Sequence, residues 1–326
     1  MTPYPADATV IEGKTLLLTG GTGSFGQKFV EIALKLNPRA IRVFSRGELL
    51  QVEMARKFQD DRLRFFIGDV RDKERVSRAM ERVDIVVHAA ALKHIPVTAY
   101  NPRECILTNI VGSQNVVDCA IDCGIQKCVL ISTDKAAHPS TLYGASKLVA
   151  ESVFVQGNVY GKTRFSVVRY GNVVSSRGSL VSLLGEQIKK GYVTITDPRM
   201  TRFWLTVSQG TDLVLLALDM MLGGEVFIPK VSSMKVVDLV EAVAPGTEKR
   251  VIGIRPGEKL HETLITEDEA RHTKEFDNFF IIEPEFSFWN KDSFFGGKQV
   301  SDGFVYSSDQ NKQWISAEEI VKMVQS

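Results

Sequence analysis

Short apolar runs alternate with helical patterns along the first half of the chain. The runs are TLLLT (15–19), AIRVFS (40–45), RLRFFIGD (62–69), VDIVVHAA (83–90) and KCVLIST (127–133). Runs that are apolar on both faces and separated by helices are typical of parallel strands with helices on both sides. The pattern therefore predicts an α/β fold with a doubly wound parallel sheet, which the run RFSVVRYGNV (164–173) is expected to extend.

After about residue 175 the alternation is less regular. Segments such as GYVTITD, TRFWLTVSQGTDLVLLAL and GEVFIPK indicate short strands and helices. We therefore expect a larger domain over 12–175 and a smaller α/β lobe over 176–326. The boundary is soft because elements of the two parts can interleave, and no repeat or low-complexity tract marks a linker.

A glycine-rich turn follows the first apolar run and precedes a helical pattern. Glycine permits a sharp turn and a close approach of a pyrophosphate, and the next helix directs its N–H groups at the anion. This context predicts that 12–175 is a Rossmann domain that binds a dinucleotide. The turn is TGGTGSFG (19–26), and its predicted cofactor contacts are Gly20, Thr22, Gly23, Ser24, Phe25 and Gly26.

The end of the second run indicates which dinucleotide is bound. NAD sites usually have a carboxylate there, whereas this chain has Ser45 and Arg46. A hydroxyl and a guanidinium suit a 2′-phosphate, so NADP is favoured over NAD, although Glu48 keeps NAD open. Lys93 is a candidate contact for either cofactor or substrate. The other cofactor contacts predicted after the third and fourth runs are Asp69, Val70, Ala89 and Ala91.

A tyrosine and a lysine lie four residues apart in YGASK. On a helix, Tyr143 and Lys147 share one face. A phenol has a pKa of about 10 and needs a nearby cation to act as a base at pH 7. Lys147 is the expected cation and a further contact to the cofactor.

Several motifs together resemble a known family. TGGTGSFG, HAAALKH, STDKAA, YGASK and RYGNV resemble the extended short-chain dehydrogenases/reductases. With MTRFW and IRPGEKLHE, the chain resembles the inverting UDP-N-acetylglucosamine 4,6-dehydratases of pseudaminic acid synthesis, from about residue 12 to the C-terminal region. That resemblance implies C4 oxidation by NADP, C5 deprotonation, loss of water from C6 and hydride return to C6. The implied product is UDP-2-acetamido-2,6-dideoxy-β-L-arabino-hex-4-ulose.

The resemblance also implies roles for five residues. Tyr143 would be the base for the C4 hydroxyl, with Lys147 as its electrostatic partner and Thr133 near the C4 oxygen. Lys135 would take the C5 proton, and Asp134 would protonate the departing C6 hydroxyl. A lysine is a base only when neutral, so we expect desolvation on substrate closure, together with Lys147, to lower the pKa of Lys135.

Three alternatives remain open from the sequence. Dehydratases that retain the C5 configuration commonly have Asp-Glu where this chain has Asp134-Lys135. A nucleotide-sugar 4-epimerase would use Tyr143 and Lys147 but needs no C5 base. A regulatory protein that binds the cofactor without turnover is the third reading.

The second half of the chain, 176–326, is expected to supply most of the substrate contacts. Arginine binds phosphate oxygens in a bidentate manner, so Arg199 and Arg255 are the predicted diphosphate contacts. Asn172 and Arg177 follow the RYGNV strand and are predicted to hold sugar or diphosphate oxygens.

Composition and charge restrict the classes of partner that the chain is expected to bind. Forty basic and thirty-nine acidic residues give a formal charge of +1, which disfavours nucleic acid and anionic membrane as partners. No run approaches the roughly 20 apolar residues that span a bilayer, and no leader pattern precedes the first strand, so we expect a cytoplasmic protein. The four cysteines form no C-x-x-C pair, and no metal site is expected. By resemblance, we expect UDP-N-acetylglucosamine as substrate, a homo-oligomer with a hexamer favoured, and a flagellin or surface-polysaccharide sugar as the final product.

Overall fold

The computed structural model describes residues 8–174, 180–285 and 296–325. The strands, β1 to β17 in chain order, are Thr15–Thr19, Ala40–Ser45, Leu63–Ile67, Ile85–His88, Lys127–Thr133, Arg164–Tyr170, Asn172–Val173, Tyr192–Ile195, Thr201–Leu205, Val226–Pro229, Ser232–Lys235, Glu248–Val251, Thr263–Ile265, Thr273–Glu275, Phe279–Ile282, Lys298–Gln299 and Tyr306–Ser307. The α-helices, α1 to α11, are Ser24–Leu34, Glu48–Phe58, Lys73–Met80, Ile95–Tyr100, Pro102–Cys105, Gly112–Asp122, Leu142–Gly157, Leu180–Ile188, Val207–Met220, Val236–Val243 and Ala317–Gln325. A π-helix occupies Ile106–Val111, and short 3-10 turns occupy Ala8–Val10, Asp134–Ala136, Asn158–Tyr160 and Glu269–His272.

The large sheet has the strand order β16-β14-β15-β10-β6-β5-β4-β1-β2-β3. Strands β3, β2, β1, β4, β5, β6 and β10 run parallel, whereas β15, β14 and β16 are antiparallel. The predicted doubly wound parallel sheet is therefore confirmed, and the apolar runs at 15–19, 40–45 and 127–133 have the bounds of β1, β2 and β5. Strands β10 and β15 lie beyond residue 175, so the large sheet includes elements from both halves of the chain.

Helices cover this sheet on both faces. All five positions of β1 and all four of β4 are buried, which requires apolar partners above and below the sheet. Helix α1 packs beside α9, while α3, α6 and α7 pack beside one another. No helix within the described ranges combines the length and the apolar character needed to cross a bilayer.

A second apolar cluster forms away from the large sheet. It joins Leu184 of α8, Val193 of β8, Trp204 of β9, Leu239 of α10 and Ile320 of α11. Strands β7, β9 and β11 form a separate three-stranded sheet beside it. This smaller unit positions β9 and the segment 255–262 next to the carboxyl ends of β5 and β6.

The predicted single strand RFSVVRYGNV is interrupted at Gly171. Strand β6 ends at Tyr170, and β7 pairs with β9 in the other sheet. The chain passes close to Phe203, because a Cβ at Gly171 would lie 2.7 Å from the Phe203 Cβ and 3.2 Å from its carbonyl oxygen. The absence of a side chain therefore permits the crossing from one sheet to the other.

We predict that Gly171→Ala lowers the free energy of unfolding by about 1–3 kcal/mol, because the new methyl group overlaps the Cβ of Phe203. The matched control is Gly185→Ala on α8, where an added Cβ meets nothing within 4 Å. That control should raise stability by about 0.5–1 kcal/mol, since alanine favours a helix over glycine. Denaturant titration of both variants measures the difference. A Gly171→Ala protein as stable as the unchanged chain would contradict the steric argument.

Candidate active site

A cleft of about 890 Å³ opens at the carboxyl ends of β1, β2, β4, β5 and β6. This is the edge of a doubly wound sheet where ligands bind. Most of the site residues predicted from the sequence line it. They are Gly20, Thr22, Gly23, Ser24, Phe25, Ser45, Arg46, Asp69, Val70, Ala89, Ala91, Lys93, Thr133, Asp134, Lys135, Tyr143, Lys147 and Asn172.

Two glycines of the turn, Gly20 and Gly26, have no room for a side chain. Gly20 has φ +66°, and a Cβ there would lie 2.8 Å from the Ala90 nitrogen. Gly26 does not line the cleft; a Cβ on it would collide with the carbonyl oxygen of Gly21, so its role is to let α1 pack onto the turn. Helix α1 begins after Gly23, which has no side chain to cap the helix. Its N-terminus therefore suits the pyrophosphate of a dinucleotide.

Ser45 and Arg46 lie at the end of β2 on the rim of the cleft. Gln51 donates a hydrogen bond to the Ser45 Oγ at 3.0 Å, and Arg46 lies 3.9 Å from an Asp69 oxygen with 57% of its side chain exposed. Burial favours the protonated form of Asp69, but hydrogen bonds from Arg71 outweigh it and lower the pKa of the carboxyl. Asp69 therefore stays ionised, and most of the Arg46 guanidinium faces open space.

Tyr143 and Lys147 lie on the first turns of α7. The Thr141 side chain caps this helix by accepting a hydrogen bond from the Gly144 nitrogen. Lys147 donates to the carbonyl of Ile131 at 2.7 Å, and burial lowers its pKa to about 8. Both side chains line the cleft, as the four-residue spacing predicts.

The electrostatics of Tyr143 differ from the expectation. Burial raises its pKa to about 12, while Lys135 and a hydrogen bond with Thr133 act in the opposite direction. The main cation that favours the phenolate is therefore Lys135 rather than Lys147. The Lys147 ammonium instead donates its hydrogen bond to the Ile131 carbonyl.

Asp134 and Lys135 form the turn that directly follows β5. The Lys135 Nζ lies 3.0 Å from the Asp134 Oδ1 and 3.2 Å from the Glu262 Oε1. The Thr133 hydroxyl also donates to the Asp134 Oδ1 at 2.9 Å. The other oxygen, Oδ2, is buried and has no hydrogen-bond partner among the described residues. Burial raises the pKa of Asp134, so this carboxyl is suited to hold a proton.

The expectation of a lowered pKa for Lys135 is wrong for this structure. Burial acts in that direction, but the carboxylates of Asp134 and Glu262 outweigh it and raise the pKa above the ordinary lysine value. Lys147 is not the controlling neighbour. Lys135 is therefore an ammonium group here, and a base role requires that it first pass a proton to another group.

Two charged residues that lie next to Lys135, outside the lining of the cleft, were not selected from the sequence. Glu262 is 3% exposed, and Arg202 lies 3.6 Å from the same Glu262 oxygen that contacts Lys135. We call Asp134, Lys135, Arg202 and Glu262 the charge cluster. Both residues were nevertheless present in the quoted motifs: MTRFW contains Arg202, and IRPGEKLHE ends at Glu262.

The predicted diphosphate arginines do not meet at the cleft. Arg199 has 72% of its side chain exposed and pairs with Asp197 at 2.7 Å, and Arg255 is also exposed. Neither lines the cleft, so their contact with a diphosphate stays a prediction. Arg177 lies outside the described residues. Asn172 does line the cleft, and its Oδ1 is buried with no partner in the described part of the chain.

A buried ion network connects α7 to β6. Arg169 of β6 is 2% exposed and contacts Glu151 of α7 at 2.6 Å and Glu269 at 2.8 Å. Glu151 follows Lys147 by one helical turn and accepts a hydrogen bond from Ser132 on β5. This network ties β5, β6 and α7 together below the cleft.

Known proteins resemble this chain over most of its length. The family model described as polysaccharide biosynthesis protein matches residues 16–284. The inverting UDP-N-acetylglucosamine 4,6-dehydratase of Campylobacter jejuni serotype O:2 is 49% identical over 324 residues, which cover 95% of this chain and 97% of that protein. The structure of Pen from Bacillus thuringiensis superposes with a TM-score of 0.88 at 36% identity and covers 97% of this chain and 99% of that one. The Thermus thermophilus UDP-glucose 4-epimerase solved with NAD has a TM-score of 0.65 at 25% identity and covers 75% of this chain and 88% of its own.

The extended short-chain dehydrogenase/reductase fold predicted from the motifs is confirmed. The chain belongs to the polysaccharide biosynthesis protein family, together with the inverting UDP-N-acetylglucosamine 4,6-dehydratase of Campylobacter jejuni.

Proposed function

We propose that this chain is an NADP-dependent UDP-N-acetylglucosamine 4,6-dehydratase that inverts C5. The observation that carries the proposal is the contact of Lys135 with Asp134, in the same cleft as Tyr143 and Lys147. A simple hydride-transfer enzyme needs the second pair alone. The 49% identity to a dehydratase of this type supports the same conclusion.

The cofactor contacts that we propose follow the cleft from α1 to β4. The open N-terminus of α1 and the bare turn at Gly20 would hold the pyrophosphate, and Arg46 would bind a 2′-phosphate. When bound, NADP would supply the hydride acceptor for C4 oxidation and the hydride donor for C6, and a proton returned to C5 completes that addition. Ala89 and Ala91 leave space for the cofactor, because their side chains are small.

In the first step, Tyr143 first releases its own phenol proton to solvent through the open cleft and then takes the proton of the C4 hydroxyl. The ammonium group of Lys135 and the Thr133 hydroxyl favour the phenolate form that this step needs. Once the phenol is neutral again, Lys135 loses a nearby negative charge. Its pKa falls, and the ammonium becomes easier to deprotonate.

Elimination then requires one acid and one base. Passage of a proton from the Lys135 Nζ to the Asp134 Oδ1, 3.0 Å away, creates both groups at once. Lys135 removes the C5 proton, and Asp134 gives its proton to the C6 oxygen, which leaves as water. The pair ends as carboxylate and ammonium, its form before the transfer. A substrate that excludes water favours the neutral pair, because burial penalises charge.

We further propose that the product feeds pseudaminic acid synthesis for flagellin or a surface polysaccharide, and that the protein is a homo-oligomer, with a hexamer favoured. The support is the resemblance of the motifs. Lys93 lines the cleft near Ala91 and is proposed to contact cofactor or substrate.

The second candidate function is a nucleotide-sugar 4-epimerase. The fold neighbour with that name supports it at 25% identity. An epimerase uses Tyr143 and Lys147 and leaves Lys135 without a chemical role. The first two predictions below therefore distinguish the two functions, and the third distinguishes NADP from NAD.

Incubation of the protein with UDP-N-acetylglucosamine and NADP in deuterated water should give a 4-keto-6-deoxy product with deuterium at C5. The reason is that C5 loses its hydrogen to a group that exchanges with solvent. NMR of the product identifies the deuterated position and the L-arabino configuration. A C4 epimer, a D-configured product or unchanged substrate would each overturn the proposed function.

We predict that Lys135→Arg lowers dehydration by about 10²- to 10⁴-fold, the usual contribution of a positioned acid or base. Arginine keeps the positive charge between Asp134 and Glu262, but it does not give up its proton at neutral pH. C4 oxidation should continue and is seen as absorbance of the reduced cofactor in single turnover. Dehydration at the unchanged rate would assign the C5 base to another residue.

Arg46→Ala should weaken NADP binding by about ten-fold or more, the loss expected for a charge-assisted hydrogen bond. NAD affinity is the internal control and should change little, because NAD has no 2′-phosphate. Fluorescence titration with each dinucleotide measures both constants. An equal loss for the two cofactors would argue against phosphate recognition by Arg46.

A further inference from the structure

We propose that Glu262 is a positioning residue that aims the Lys135 ammonium and sets the pH range in which the Asp134–Lys135 pair works. This inference rests on the proposed dehydratase function and deepens it. Glu262 lies outside the part of the cleft that cofactor or sugar would contact, because it does not line the cleft. It acts through Lys135 rather than on the substrate.

The first support is geometric. The Glu262 Oε1 lies 3.2 Å from the Lys135 Nζ, on a side chain that is only 3% exposed. With Asp134 at 3.0 Å, the ammonium has two fixed acceptors, which limit the rotation of a long and flexible side chain. Lys135 itself is 24% exposed, so one side of the ammonium remains open to the cleft.

The second support is the way that Glu262 is held. Its backbone nitrogen donates to the Ser308 Oγ at 2.9 Å, and its carbonyl accepts from the Ser308 nitrogen at 2.8 Å. Arg202 approaches the Glu262 carboxylate at 3.6 Å and also donates to the carbonyls of Lys259 and Leu260. These contacts hold the Glu262 backbone in place and keep its Oε1 between Arg202 and Lys135, as precise positioning requires.

The third support comes from the neighbouring charges. Burial opposes the ionised form of Glu262, but the cations Lys135, Arg202 and Lys259 outweigh burial and lower its pKa, so Glu262 stays negative. Its charge raises the pKa of both Asp134 and Lys135. The titratable and charged groups that face this pair from the surrounding elements are Tyr143, Arg202, Lys259 and Glu262.

A pH dependence follows with a definite sign. The pair is active with one shared proton: a second proton removes the base, and loss of the first removes the acid. The rate is therefore bell-shaped, and its two limbs report the pKa values of the pair as a unit. The negative charge of Glu262 favours each protonated form, so both limbs lie at higher pH than they would without it.

The test is the pH profile of product formation from UDP-N-acetylglucosamine, measured by NMR for the unchanged protein and for Glu262→Gln. The amide keeps the shape and an acceptor oxygen but removes the charge. Both limbs should move about one pH unit or more toward lower pH, the size expected for loss of an opposite or like charge at this distance. Glu262→Ala, which also removes the acceptor, should lower the maximal rate by about 10²-fold.

Glu258→Gln is the matched control, because Glu258 contacts Arg202 at 3.7 Å but does not contact Lys135. Its pH profile should keep the unchanged protein's position. If Glu262→Gln is folded and active with an unshifted profile, Glu262 serves only to neutralise Arg202 and the inference is wrong. If the unchanged protein forms no 4-keto-6-deoxy product, the proposed function itself fails, which is a separate result.

Discussion

An ammonium group held between two buried carboxylates connects the two parts of this molecule. Lys135 belongs to the turn after β5, whereas Glu262 and Arg202 belong to the smaller unit. Removal of one partner from a buried ion pair costs about 3–5 kcal/mol, because the remaining charge has no solvent to stabilise it. The charge cluster therefore ties the smaller unit to the turn that follows β5, at the edge of the cleft.

The support beneath the cleft follows the same rule. Arg169 is almost fully buried and has carboxylate partners on α7 and after β13. Because these ions cannot separate without a large desolvation cost, β5, β6 and α7 move as one body. Tyr143 and Lys147 are thus fixed relative to Asp134 and Lys135, although the two pairs lie on different elements.

Much of this arrangement was predictable from sequence because it depends on local patterns. Strand bounds follow from apolar runs, and the glycine turn follows from the needs of a tight strand-to-helix connection. Glu262 was missed because its contact with Lys135 joins positions that are far apart in the chain. Arg199 and Arg202 lie close together in the sequence. Only the structure shows that Arg202 is buried on β9, while Arg199 lies on the exposed turn before it.

The predicted direction of the pKa shift of Lys135 was wrong for a related reason. Along the chain, Lys135 is followed at some distance by Lys147 and directly preceded by Asp134, but the second carboxylate, that of Glu262, comes from a remote segment.

The close grouping of Tyr143, Asp134 and Lys135 also determines how protons move during the whole reaction. The sugar releases one proton from the C4 hydroxyl and one from C5. One proton leaves with water and one returns to C5, so the numbers released and used are equal. Tyr143, Asp134 and Lys135 can exchange them among themselves, so a turnover needs no net supply of protons from bulk solvent, even though these groups exchange their hydrogens with it.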